Sequence, residues 1–141
     1  MIVLDTNVAL DLLVFDDPRC AALAAALDTG ARVWIATRAM REEFARVLAY
    51  PKIAQQLVRV GRPAPQVLAA FDARVHLRDA WPVPRADTAC RCKDPDDQIF
   101  IDLALAYSAL LLSKDRAVLS LMRPLARQGV RVLSVLPPAF S

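Results

Sequence analysis

Three carboxylates stand where a short apolar run or a turn gives way to a helical pattern. Asp5 ends Ile2-Val3-Leu4, Asp115 follows the run from Ala109 to Leu112, and Asp97 sits in the first turn of the strongly apolar helix that leads into that run. A fourth comes from helical phase. Met40, Phe44, Val47 and Leu48 define one helix face, and at about 100° per residue Glu43 flanks that face while Glu42 points to solvent. If the strands are parallel, Asp5 and Asp115 share one edge of the sheet. All of these donors are hard oxygens, which suit Mg²⁺ or Mn²⁺ rather than zinc, and such ions keep waters that are candidate nucleophiles toward phosphorus.

Each acid taken alone also reads as a helix cap. Aspartate is a preferred N-cap, an acid in the first turn gains about 0.3–1 kcal/mol from the helix dipole, and Asp94-Pro95 has Asp at the cap and Pro at the first helical position. Capping does not explain why several carboxylates should collect at one edge, because their mutual repulsion costs stability unless a cation neutralises it. The cluster therefore predicts at least one carboxyl whose folded pKa lies above its unfolded value near 4.

Other chemistries lack their parts. His76 is the sole histidine, so a metal-free ribonuclease with a histidine acid and base is excluded, and His76 reads as a structural or surface residue. Cys20, Cys90 and Cys92 are an odd number, and Cys90-x-Cys92 has no second ligand pair to complete a soft-metal site. A haloacid-dehalogenase-like phosphatase needs a second Asp two residues after Asp5, where this chain has Asn7. Gly30, Gly61 and Gly129 are the only glycines, and none forms a phosphate-cradling turn after the first strand.

The elements that must position the acids alternate. Strands are expected at Ile2–Leu4, Val33–Ile35, Arg74–Leu77, Ala109–Leu112 and Val130–Leu133. Between them, helices are expected at 6–14, 18–27 with a stop at Gly30, 38–49, 52–60, 65–71, 94–107 and 117–122, with a long loop over 79–93. Strands alternating with helices imply a three-layer α/β/α fold with a central, mostly parallel sheet and right-handed crossovers. The functional crevice of such a sheet lies beyond the carboxyl ends of its strands.

The chain has 141 residues, 56% hydrophobic and 23% charged, which excludes a disordered or low-complexity protein and fits one domain over 1–141. Its formal charge is only +3, but residues 31–92 carry eleven bases against five acids, whereas residues 1–30 carry five acids against one base. The longest apolar run, Ile99 to Leu112, is broken by Asp102 and falls short of the roughly 20 residues of a membrane span. There is no basic leader before an apolar segment, so a cytoplasmic location is expected.

In this order and at these intervals, four blocks resemble the PIN domain family of metal-dependent ribonucleases. They are Ile2-Val3-Leu4-Asp5-Thr6-Asn7-Val8; Thr37 followed by Glu43-Phe44-x-x-Val47-Leu48-x-x-Pro51-Lys52; Cys92-Lys93-Asp94-Pro95-Asp96-Asp97-Gln98-x-Phe100; and Ser113-Lys114-Asp115. The Pro51-Lys52 and Asp94-Pro95-Asp96-Asp97 details are similar to the branch that supplies toxins of bacterial toxin-antitoxin pairs. The resemblance implies an acidic pocket of Asp5, Glu43, Asp97 and Asp115 that holds Mg²⁺ or Mn²⁺ and hydrolyses single-stranded RNA to leave a 5′-phosphate. Asp94 is then an auxiliary acid near the metal, and Thr6, Asn7, Thr37 and Ser113 orient carboxylates or waters. It also implies a small antitoxin protein encoded nearby and no membrane partner, and it leaves a homodimer open. Lys114 departs from the family, which usually has glycine there, and a lysine beside the pocket either holds a phosphate or crowds the metal.

Bases that flank these motifs are candidates to follow an RNA backbone, namely Arg38, Arg41, Arg46, Lys52, Arg91, Lys93, Lys114 and Arg116. Of these, Arg38, Lys93, Lys114 and Arg116 lie nearest the pocket motifs. Aromatic residues are only 6% of the chain, so little base readout by stacking is expected. A non-catalytic RNA-binding or protein-binding module on the same fold is the competing reading.

Overall fold

In a computed structural model, residues 1–78 and 90–138 are described. The chain runs β1 (Ile2–Leu4), α1 (Thr6–Leu13), α2 (Ala21–Thr29), β2 (Trp34–Ala36), α3 (Arg38–Val47), α4 (Pro51–Val60), α5 (Ala64–Arg74) and β3 (Val75–Leu77). It continues with α6 (Gln98–Tyr107), β4 (Leu110–Leu112), α7 (Arg116–Leu119), α8 (Met122–Arg127) and β5 (Val132–Leu133). Single turns of 3₁₀ helix precede α2 at Pro18–Cys20 and α6 at Pro95–Asp97. The expected loop over 79–93 falls partly outside the described residues, and Arg91–Lys93 has no helix or strand. Among the described residues, no helix is long and apolar enough to cross a membrane.

The five strands form one sheet in the order β3-β2-β1-β4-β5, and every pairing is parallel. Parallel strands are covered on both faces and read as unbroken apolar runs, as β1, β2 and β4 do with every residue buried. The strand order climbs from β1 through β2 to β3, then restarts on the other side of β1 with β4 and β5. With right-handed crossovers, α1 to α5 lie on one face and α6 to α8 on the other. The reversal between β1 and β4 is the switch point at which such sheets open a crevice.

Register decides what stands at that crevice. Leu4 pairs with Leu112, and Ile2 with Trp34, so Asp5, Ser113 and Thr37 occupy one row just past the carboxyl ends of β1, β4 and β2. These three are the buried polar residues among those described, each 3% exposed or less. Beneath them, Trp34 of β2 meets Phe71 of α5 edge-on at 4.9 Å, and Phe71 stacks on Phe44 of α3 at the same centroid distance. This aromatic triplet locks the rotation of α3 against the sheet.

Two boundaries differ from the sequence expectation for a physical reason. The helix expected at 117–122 is two short helices, α7 and α8. Pro124 stands in the first turn of α8, where the missing N–H has no intrahelical partner to lose. The helix expected from Asp94 starts instead with the 3₁₀ turn before α6, whose tighter winding swings Asp97 relative to an ideal α-helix.

Candidate metal centre

Each acid reaches the crevice by a local device. Asp5 is the N-cap of α1: its Oδ1 accepts the Val8 N–H at 2.9 Å, and its Oδ2 accepts the Ser113 hydroxyl at 2.5 Å. Ser113 Oγ in turn accepts the Asp115 N–H at 3.1 Å, so one buried hydroxyl ties the end of β1 to the loop after β4. Asp115 caps α7 through the Ala117 N–H at 2.8 Å, and Asp94 caps the 3₁₀ turn through the Asp96 N–H at 3.0 Å. The capping reading of these three is therefore correct, and it fixes where their remaining oxygens point.

Asp97 is different. It precedes α6 yet makes no side-chain cap bond, and its Oδ2 is buried with no hydrogen-bond partner among the described residues. Asp94, Asp97 and Asp115 each offer an oxygen, and those atoms all lie within 4.8 Å of one another, close enough for one cation to reach all three. Burial first, then the charges of Asp115, Asp94 and Asp5, push the Asp97 carboxyl up to about 7. Burial also raises Asp5, against the lowering effect of its bonds from Ser113, Val8 and the Lys114 N–H. Burial is the larger cause for both groups, and the charges of Asp115 and Asp94 on Asp97 supply the repulsion read from the sequence.

A cavity of about 730 Å³ opens over this cluster and is lined by Asp5, Thr6, Asn7, Glu43, Asp94, Asp97 and Asp115 together with apolar side chains. Helical phase places the two glutamates as α3 demands: Glu43 lines the cavity and accepts the Thr6 hydroxyl at 3.2 Å, while Glu42 is exposed. The tight trio is not the acidic quartet of the family resemblance. Asp94 and Asp115 join Asp97 in it, and Asp5 and Glu43 share the cavity without belonging to that trio.

Several polar and basic residues fall elsewhere. Thr37 does not line the cavity: its Oγ1 accepts the Met40 N–H at 3.2 Å as the N-cap of α3, so it places Glu43 only through that helix. Lys114 turns away from the acids and pairs with Asp11 of α1, which answers the concern that it fills the pocket. Arg38, Lys93 and Arg116 are exposed and outside the cavity lining, and Arg41 is held by both carboxylate oxygens of Asp72 at 2.6 and 2.8 Å. His76 lies on edge strand β3, exposed and away from the acids. The thiols of Cys20 and Cys92 are raised chiefly by burial, and no cysteine joins a ligand cluster among the described residues.

Gln98 is a residue whose task the sequence did not disclose. Its side chain accepts the Cys92 N–H at 2.6 Å and donates to the Cys90 carbonyl at 3.1 Å and to Asp102 at 3.0 Å, pinning the strand of chain that leads into Asp94. The signal was its place one residue after Asp97, but its partners are set by the loop.

The Lys114 contact leads to a modest prediction. Lys114→Met removes one half-buried ion pair and is expected to lower stability by about 1 kcal/mol or less, leaving the chemistry of the acidic cavity unchanged. Urea unfolding and a cleavage assay check both halves, and a large loss of cleavage would place Lys114 in the site after all.

PIN domains are generally metal-dependent nucleases, and the orphaned Asp97 oxygen in a cluster of hard donors fits such an ion. No curated protein matches the chain. The PIN domain profile matches residues 1–117, a span that holds all five cavity carboxylates and four of the five strands, and the chain belongs to the PIN domain family.

Proposed function

We propose that this chain is a Mg²⁺- or Mn²⁺-dependent endoribonuclease acting on single-stranded RNA. The observation that carries the reading is Asp97, whose Oδ2 is buried with no hydrogen-bond partner among the described residues and has two more aspartates within ligand reach. A cluster needed only for helix caps has no reason to leave such a group, since a buried polar atom without a partner costs free energy.

Asp94, Asp97 and Asp115 are the residues that would hold the ion. A bound Mg²⁺ or Mn²⁺ supplies charge neutralisation, activation of water and Lewis-acid stabilisation of the phosphate oxygens. Asp5 and Glu43 add negative charge beside the trio, each fixed by a hydroxyl, Ser113 for Asp5 and Thr6 for Glu43. Because those hydroxyls and the cap N–H groups hold the carboxylates in place before substrate arrives, little reorganisation is left for the reaction itself. Leu10, Val47, Ile53 and Phe100 supply apolar parts of the cavity lining.

The test is cleavage of a labelled single-stranded RNA by purified protein. Cleavage with Mn²⁺ and its loss in EDTA are expected, whereas robust cleavage with the metal chelated overturns the mechanism. Binding without any cleavage favours the non-catalytic module instead.

The toxin role belongs to the same proposal and is supported by the Pro51-Lys52 and Asp94-Pro95-Asp96-Asp97 details. Expression in a bacterium is expected to slow growth, and a small protein encoded beside this chain is expected to restore it. Cleavage in vitro without harm to the cell points to RNA processing.

A further inference from the structure

The carboxylates account for only part of the cavity. Even a full shell of six waters would occupy only about 180 Å³ at about 30 Å³ each, whereas the cavity volume is about 730 Å³. The remainder falls in the size range of small-molecule and nucleotide sites.

That remainder has a distinct lining, contributed by the junction between α3 and α4. Val47, Tyr50, Pro51, Lys52 and Ile53 form it, and Tyr50 is 56% exposed, an unusual fate for a large aromatic ring beside apolar neighbours. Lys52 is the only cationic side chain lining the cavity among the described residues. Three other bases are held by acids outside its lining: Arg41 by Asp72, Arg62 by Asp16 and Lys114 by Asp11. The junction is also well defined. The Tyr50 N–H donates to the Val47 carbonyl at 3.0 Å, the Tyr50 carbonyl accepts the Ala54 N–H at 2.8 Å, and Pro51 starts α4 with its backbone angle preset. The backbone that carries the ring and the ammonium is thus one fixed turn.

We propose that this wall is a nucleotide subsite, in which Tyr50 stacks on a base of single-stranded RNA and Lys52 pairs with a neighbouring backbone phosphate. The proposal rests on the endoribonuclease reading for the identity of the ligand. A nucleotide joins a flat apolar base to an anion, which is the chemistry offered here by a ring beside a lysine. Stacking accepts any base, so the subsite holds RNA without demanding sequence. The low aromatic content of the chain is then no obstacle, because one ring at the cavity rim is enough for one base. Lys52 also gives the anionic backbone a favourable contact beside a cluster of carboxylates that would otherwise repel it.

The test uses a fluorescent single-stranded RNA oligonucleotide, with binding measured in EDTA and steady-state cleavage measured in Mn²⁺. Tyr50→Ala is expected to weaken binding and raise KM at least about fivefold, the lower end of a lost stack, with a smaller change in kcat; Tyr50→Phe is expected to restore both. Lys52→Ala is expected to weaken binding and reduce the slope of log affinity against log salt by about 0.7. If wild type binds but neither variant changes affinity, KM or salt slope, the subsite is overturned while the nuclease reading stands. Absence of wild-type binding also overturns it. If wild type binds in a Tyr50- and Lys52-dependent way yet never cleaves, the nuclease reading fails and the subsite stands.

Discussion

Asp97→Asn, Asp115→Asn, Asp5→Asn and Glu43→Gln are each expected to lower Mn²⁺-dependent RNA cleavage by at least about 100-fold, the usual loss when one preorganised charged group is removed from a reacting centre. Glu42→Gln, one residue from Glu43, is expected to change the rate little. The contrast has a structural cause. Phe44 is clamped by Phe71, which fixes the rotation of α3, so Glu43 lines the acidic cavity and Glu42 is exposed to solvent. The isosteric changes keep size and an acceptor oxygen, so Asp5 and Asp115 still accept their cap N–H groups and the helices stay in place. Rates measured at saturating Mn²⁺, with circular dichroism to verify folding, check this. A dead Glu42→Gln beside an active Glu43→Gln would show that α3 is rotated in solution, and full activity in Asp97→Asn would remove the central carboxylate from the reaction.

The second large effect concerns the protein without metal. The Asp97 carboxyl is raised to about 7, above an unfolded value near 4. The folded state then holds a proton that the unfolded state has already released. Stability falls as pH rises from about 4 to about 7, and the full cost persists at higher pH. Asp97→Asn removes that cost, and it does so cleanly because Asp97 makes no cap bond. Asp5→Asn is a poorer probe, since Asp5 both caps α1 and accepts the Ser113 hydroxyl.

In EDTA at pH 8, Asp97→Asn is expected to melt about 3 °C above wild type, the response to roughly 1 kcal/mol in a chain of this size after discounting for solvent screening. The gap is expected to close below pH 4, where both carry a neutral group. Saturating Mn²⁺ is expected to stabilise wild type by about 2.7 kcal/mol at 100 times the dissociation constant and the variant by less. Melting curves across pH, with EDTA and with Mn²⁺, decide the matter. A variant less stable than wild type in EDTA, together with no shift from Mn²⁺, would mean that these acids serve the fold alone.

Much of this site is legible in the sequence, because the signals that reveal it are local. A strand that stops at an aspartate, a cap bonded two or three residues on and a helical face with a period of 3.6 all lie within a few neighbouring residues. Asp5, Asp94 and Asp115 are caps for that reason, Glu43 separates from Glu42 for that reason, and alternation of apolar runs with helical segments was enough to indicate a parallel sheet. Tertiary structure alone decided what depends on partners distant in the chain. The pairing of Leu4 with Leu112 brings the Ser113 hydroxyl to Asp5 across a separation of 108 residues. Asp11 draws Lys114 off the acids, and the tight 3₁₀ turn before α6 leaves the Oδ2 of Asp97 buried with no hydrogen-bond partner among the described residues. Local geometry repeats with a fixed period and can be counted along a chain, whereas the register between strands, and the charge that each side chain finally meets, are set only when the whole sheet closes around its core.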